Sequence, residues 1–79
     1  MSKASFYCTV KNINGKHDIG EIKRELGAMT GIFSVSVDDG AQQLAVDFDT
    51  SGAKSEQMLK KLKKLGYETA DSRVENHIM

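Results

Sequence analysis

The sequence predicts an α+β fold of the ferredoxin-like kind, with elements in the order βαββαβ and an antiparallel four-stranded sheet carrying two helices on one face. Three observations predict it. Apolar and polar residues alternate in short segments, apolar residues recur at helical spacing in two longer ones, and turn residues separate the segments in that order.

In residues 6–13, Phe6, Cys8 and Val10 alternate with Tyr7, Thr9 and Lys11, the period of a half-buried strand. Asn14, Gly15 and Lys16 break it. Asp18 followed by Glu21 has the form of a capping box, and Ile19, Ile22, Leu26 and Met29 then line one face of a helix that Gly31 stops. Residues 32–37 predict a second strand with Phe33, Val35 and Val37 on one face, and Leu44, Val46 and Phe48 predict a third. Asp38, Asp39 and Gly40 join these two as a hairpin. Ser55 is placed to cap a second helix whose inner face is Met58, Leu59, Leu62 and Leu65, ended by Gly66. Residues 67–70 read as a short last strand, and the polar run 71–79 reads as a frayed tail.

A chain of 79 residues with 39% hydrophobic and 28% charged residues is expected to form one folded domain over 1–79, with its core at about 5–70. Lysine plus arginine equals aspartate plus glutamate at 11 each, so no overall field draws the chain to nucleic acid or anionic lipid. The single cysteine, Cys8, excludes an intramolecular disulfide, and the start of the chain holds no apolar stretch of signal-peptide or membrane-span length. The expected address is the cytoplasm, without membrane insertion. No catalytic motif is present: no HExxH, no phosphate loop, no nucleophile beside a histidine in a recognisable pattern. The chain is expected not to be an enzyme.

Five features recur together: the strand ending at Val10; Ile22 and Leu26 on the first helix; Met29-Thr30-Gly31-Ile32 followed by Val35 and Val37; the third strand, 44–49; and Leu65-Gly66-Tyr67-Glu68. In these, residues 6–70 resemble the heavy-metal-associated domain family of copper chaperones and the N-terminal modules of metal-pumping P-type ATPases. The resemblance implies a Gly-Met-Thr-Cys-x-x-Cys loop between the first strand and helix. Here residues 12–18 occupy it, with Gly15 and Asp18 where the cysteines fall and Ile13 where the buried methionine falls. Soft thiolates select Cu(I), whereas glycine supplies no ligand and aspartate is a hard oxygen donor. Neither a cofactor nor a metal site is therefore expected.

The leading expectation is a metallochaperone-like docking module or adaptor in metal transport or homeostasis that has lost the thiolate Cu(I) site. Its partner would be another heavy-metal-associated domain or a metal-transporting P-type ATPase. The partner-binding candidates are Asn14, Gly15, Lys16, His17, Asp18 and Tyr67, the last implied by the resemblance to pack beside the loop. Lys60, Lys61, Lys63 and Lys64, with Lys54 nearby, form a candidate basic docking face on the second helix. The alternative is weak Zn(II) or Cu(II) binding by His17 and Asp18, with ligands shared across a dimer or with His77 of the tail, since zinc usually takes three or four protein ligands. Asp18 also reads as a helix cap, and Cys8 as a buried, inert thiol on the face of Phe6 and Val10. The open sheet face would show Tyr7, Thr9, Lys11, Ser34, Ser36, Gln43, Ala45 and Asp47, too few aromatics for an RNA platform.

Overall fold

Alternation of apolar residues buries Ala4, Phe6, Cys8 and Val10 along the first strand, and the sheet is built outward from it. A computed structural model describes residues 3–77, and in it the elements are β1 (Lys3–Val10), α1 (Gly15–Gly27), β2 (Ile32–Asp38), β3 (Gln43–Asp49), α2 (Ser55–Lys64) and β4 (Thr69–His77). The sheet order is β2-β3-β1-β4, every neighbouring pair is antiparallel, and both helices cover one face. This is the predicted ferredoxin-like arrangement. Leu44, Val46 and Phe48 of β3 join the β1 residues beneath Ile22 and Leu26 of α1 and Met58 and Leu62 of α2, all fully or nearly fully buried. Ile19, Met29, Leu59 and Leu65 complete the helical faces at the margin of this core.

Two strands depart from the expected pattern, each at a bulge. In β2, Ile32 pairs with Phe48 but Ser34 pairs with Asp47, so Phe33 and Ser34 together oppose one residue. The extra residue returns Ile32 to the core side with Val35 and Val37. Phe33, expected on the core face, is instead 53% exposed.

The second departure is the predicted tail. Residues 71–77 are not frayed: they continue β4, which pairs with β1 from Val10↔Thr69 to Lys3↔His77. Between Tyr7 and Thr9 the register shifts by a residue, at Asp71, which takes a left-handed φ of 51°. Residues 78–79 of the predicted tail, and the side chain of His77, lie outside the described residues.

Helix starts also differ by a few residues. Asn14 is the N-cap position of α1, so Asp18 is inside the first turn, where its Oδ2 accepts the Asn14 N–H at 2.8 Å. Asp18 thus satisfies a free amide at the helix start, as expected, but by reaching back from within the helix. Ser55 likewise is the first residue of α2, and the cap position falls to Lys54, whose N–H donates to Gln57 Oε1 at 3.3 Å.

The connections before β2 and after β3 meet at two glycines. Gly31 has φ +87°, and a Cβ there would lie 2.8 Å from the carbonyl carbon of Gly52. Its carbonyl accepts the Asp49 N–H at 2.7 Å, which fixes the entry to β2 against the exit from β3. A side chain would have to push backbone against backbone in a conformation that disfavours it. Gly31→Ala should therefore destabilise the fold by about 2 kcal/mol or more. Urea unfolding reads this as a lowered midpoint at constant slope, and an unchanged midpoint would refute the close approach.

Candidate functional site

The segment that follows β1 is the candidate site, and its shape comes from partners more than fifty residues away. Lys11 N–H donates to the Glu68 carbonyl at 2.9 Å. The Asn12 side chain donates from Nδ2 to the Gly66 carbonyl at 3.0 Å and accepts the Glu68 N–H on Oδ1 at 2.9 Å. Ile13, where the resemblance places a buried methionine, is 4% exposed and anchors the segment in the core.

Beyond that anchor Asn14, Gly15, Lys16 and His17 are all exposed, and Asp18 is half-buried. Gly15 opens α1 with φ +73°, a left-handed conformation that residues with a Cβ rarely adopt. Asp18 is held by the Asn14 amide, which draws its carboxyl below the usual carboxylate range, helped by the Tyr67 hydroxyl and by His17. Tyr67, only 7% exposed, lies under the first turns of α1 and donates its hydroxyl to Glu21 Oε1 at 2.8 Å. Burial first, and the Glu21 and Asp18 carboxylates after it, push the phenol well above its ordinary pKa, so it remains a donor at any physiological pH.

Five of the six loop-site candidates are thus contiguous and the sixth, Tyr67, packs beside them. The lysines divide. Lys61 Nζ turns to Glu25 Oε1 at 3.1 Å and ties α2 to α1, drawing the Glu25 carboxyl down. Lys60 and Lys63 line a groove of about 480 Å³ between α2 and β4, with Lys11, Leu59 and Tyr67, while Lys64 is exposed. Of the candidate basic face, Lys60 and Lys63 thus stand with Lys11 at one groove, Lys64 is exposed on the helix, and Lys61 is engaged between the helices.

His17 Nδ1 lies 3.6 Å from Asp18 Oδ1, with the imidazole 89% exposed. Among the described residues no three His, Cys, Asp or Glu side chains gather where they could share an ion. Cys8 is on β1, 4% exposed, and burial pushes its thiol up to about 11, so at neutral pH it is neither a thiolate nor within the loop. Of the two positions where the resemblance places thiols, Gly15 has no side chain and Asp18 bears a carboxylate already hydrogen-bonded.

Local patterning missed two residues of the site. Asn12 sits at a strand end with no local sign of its role, because its partners lie 54 and 56 residues on. Glu21 fits the capping-box spacing, yet its carboxylate receives Tyr67. On the opposite, open face of the sheet, Asp47 accepts hydroxyls from Ser5 of β1 at 2.5 Å and Ser34 of β2 at 3.2 Å. Asp47 links three strands there.

No family model and no curated protein sequence matches the chain. Solved structures do. A CopZ metallochaperone superposes with a TM-score of 0.81 at 21% identity, covering 84% of this chain and 98% of that one. Oxidized MerP from Ralstonia metallidurans CH34 gives 0.78 at 18% identity, covering 86% and 94%. A copper binding domain from HMA7, a P-type ATPase, gives 0.75 at 21% identity, covering 89% and 92%. At these identities the likeness establishes the fold, which is the ferredoxin-like fold of the heavy-metal-associated domains. No helix of the described residues is long and apolar enough to cross a membrane.

Tyr67→Phe should cost about 1–2 kcal/mol at neutral pH, since it removes a donor from a partly buried carboxylate while keeping the ring. Because Asp18 is more acidic in the fold than in the unfolded chain, its contribution is present above about pH 4 and is lost as pH falls through its lowered native value. Asp18→Asn should therefore show a shallower loss of stability on acidification than the parent. Parallel acid limbs for the two proteins would contradict the Asp18 assignment.

Proposed function

We propose that this chain is a binding module of metallochaperone fold that acts in metal transport or homeostasis by docking to a protein partner rather than by carrying Cu(I). The observation that carries this reading is the state of the two positions where the related loop pattern places thiols. Gly15 offers no donor and holds a left-handed backbone, and Asp18 spends its carboxylate on the Asn14 amide. A Cu(I) shuttle requires soft, mobile donors that pass the ion by ligand exchange. This loop has hard, immobile ones.

Asn14, Gly15, Lys16 and His17 form an exposed, uncharged-to-basic tip, and Lys60, Lys63 and Lys11 stand at the neighbouring groove. The partner that fits is a protein surface with acidic groups set around a small protruding loop. A domain of the same fold, or the metal-binding domain of a P-type ATPase, is the partner class we favour. The module would occupy that partner's docking surface as an adaptor or competitor, in the cytoplasm. It catalyses no reaction in this reading.

Two measurements test it. Against a Cu(I) chelator such as bathocuproine disulfonate, the protein should retain no stoichiometric copper; tight one-to-one retention would sink the proposal. In NMR titration with the isolated metal-binding domain of a copper-transporting ATPase, amide shifts should cluster at residues 12–18 and on α2, weakening as salt rises. Shifts scattered over the sheet, or none at millimolar partner, would count against docking by this surface.

A further inference from the structure

β4 is an edge strand, and no strand among the described residues pairs with its outer side. Such edges are normally blunted by charged side chains, lysine above all, by proline or by a bulge. From Arg73 to His77 this one has no lysine and no proline, carries Arg73 and Glu75 of opposite sign, and runs past the bulge at Asp71 in unbroken register with β1. At the middle of that stretch is Val74, 41% exposed although its register partner Phe6 is 1% exposed. On the opposite face, Arg73 and Glu75 flank it with side chains 67% and 54% exposed, 3.8 Å apart in an ion pair along the strand that leaves both open to a facing strand.

Antiparallel pairing of two identical strands has a restricted set of registers. Facing residues must both direct their backbone groups outward or both inward, so a two-fold axis passes through a residue and not between two. Centred on Val74, the pairing sets Arg73 opposite Glu75 of the second copy and Glu75 opposite Arg73 of the second copy. Val74 then faces its own equivalent, and each covers the other's exposed side chain. A shift of the centre by one residue sets Arg73 against Arg73 or Glu75 against Glu75, which is repulsive. The charge pattern thus selects one register.

We propose that the chain forms a two-fold dimer by pairing β4 with β4 of a second copy about Val74, joining the two sheets into one. The axis stands perpendicular to the sheet, so both helical layers lie on the same side. Thr69 pairs with Val10, immediately before the candidate loop, so each loop lies at the end of β4 away from the axis and at opposite ends of the joined sheet. The dimer therefore presents two loops at once and leaves both accessible, independently of what they bind.

Sedimentation velocity over about 10 µM to 1 mM should show a reversible monomer–dimer equilibrium, because the contact is one strand pair and not a large apolar interface. Arg73→Glu should weaken dimerisation by about tenfold or more, as two attractive facing pairs become repulsive. The double exchange Arg73→Glu with Glu75→Arg should restore it, although the contact of Arg73 over the Tyr7 ring, at 5.0 Å, is not restored. Mixing the Arg73→Glu chain with a Glu75→Arg chain should likewise restore it as a heterodimer, and that rescue separates cross-strand pairing from the Arg73–Glu75 ion pair within one chain, which neither variant can form. Val74→Cys should cross-link to its equivalent under mild oxidation, since self-opposed residues meet disulfide geometry. A monomer at every concentration, a dimer indifferent to Arg73→Glu, or a folded double exchange that fails to recover would each overturn the proposal.

Discussion

The short connection between α2 and β4 clasps the candidate loop from both ends, and the arrangement of the site depends on that clasp. At one end Asn12 exchanges hydrogen bonds with Gly66 and Glu68, and Lys11 adds a backbone bond to Glu68. At the other, Tyr67 reaches under α1 to Glu21 and Asp18. Between them Ile13 is buried. The loop is thus anchored at three points by groups of the chain itself.

The clasp is placed by β1. As an inner strand, paired with β3 on one side and β4 on the other, β1 fixes where the loop leaves the sheet, and the pair Val10↔Thr69 brings the start of β4 alongside that exit. Cys8 belongs to this framework. It packs among Phe6, Val10 and Leu44, and its raised pKa is a consequence of that packing. The sole sulfur nucleophile of the chain is therefore part of the core, and the surface chemistry of the loop is left to an amide, an ammonium, an imidazole and a carboxylate.

Much of this was legible in the sequence because the core-forming periodicities are local. Ile22 and Leu26, Met58 and Leu62, and the alternation in β1 and β3 each announce their buried face within one element. The bulges were not legible. Strict alternation assumes an uninterrupted pleat, so the extra residue in β2 turned Phe33 outward against the reading. The length of β4 was hidden for a different reason: an edge strand with exposed residues at 71–76 has the composition of a tail, and only its register with β1 identifies it. In the site, the helix-start role of Asp18 could be read from spacing, but Asn12 could not, since hydrogen bonds across 54 and 56 residues leave no local trace.

The proposal requires the clasp to hold residues 12–18 in shape with no metal bound. Amide hydrogen exchange with ¹⁵N relaxation on the metal-free protein tests it most directly. The expected result is a protected Asn14 amide and order parameters for 12–18 matching those of α1, unchanged on adding Cu(I) or Zn(II). Rapid exchange and disorder across that stretch, abolished when either ion is added, would contradict it.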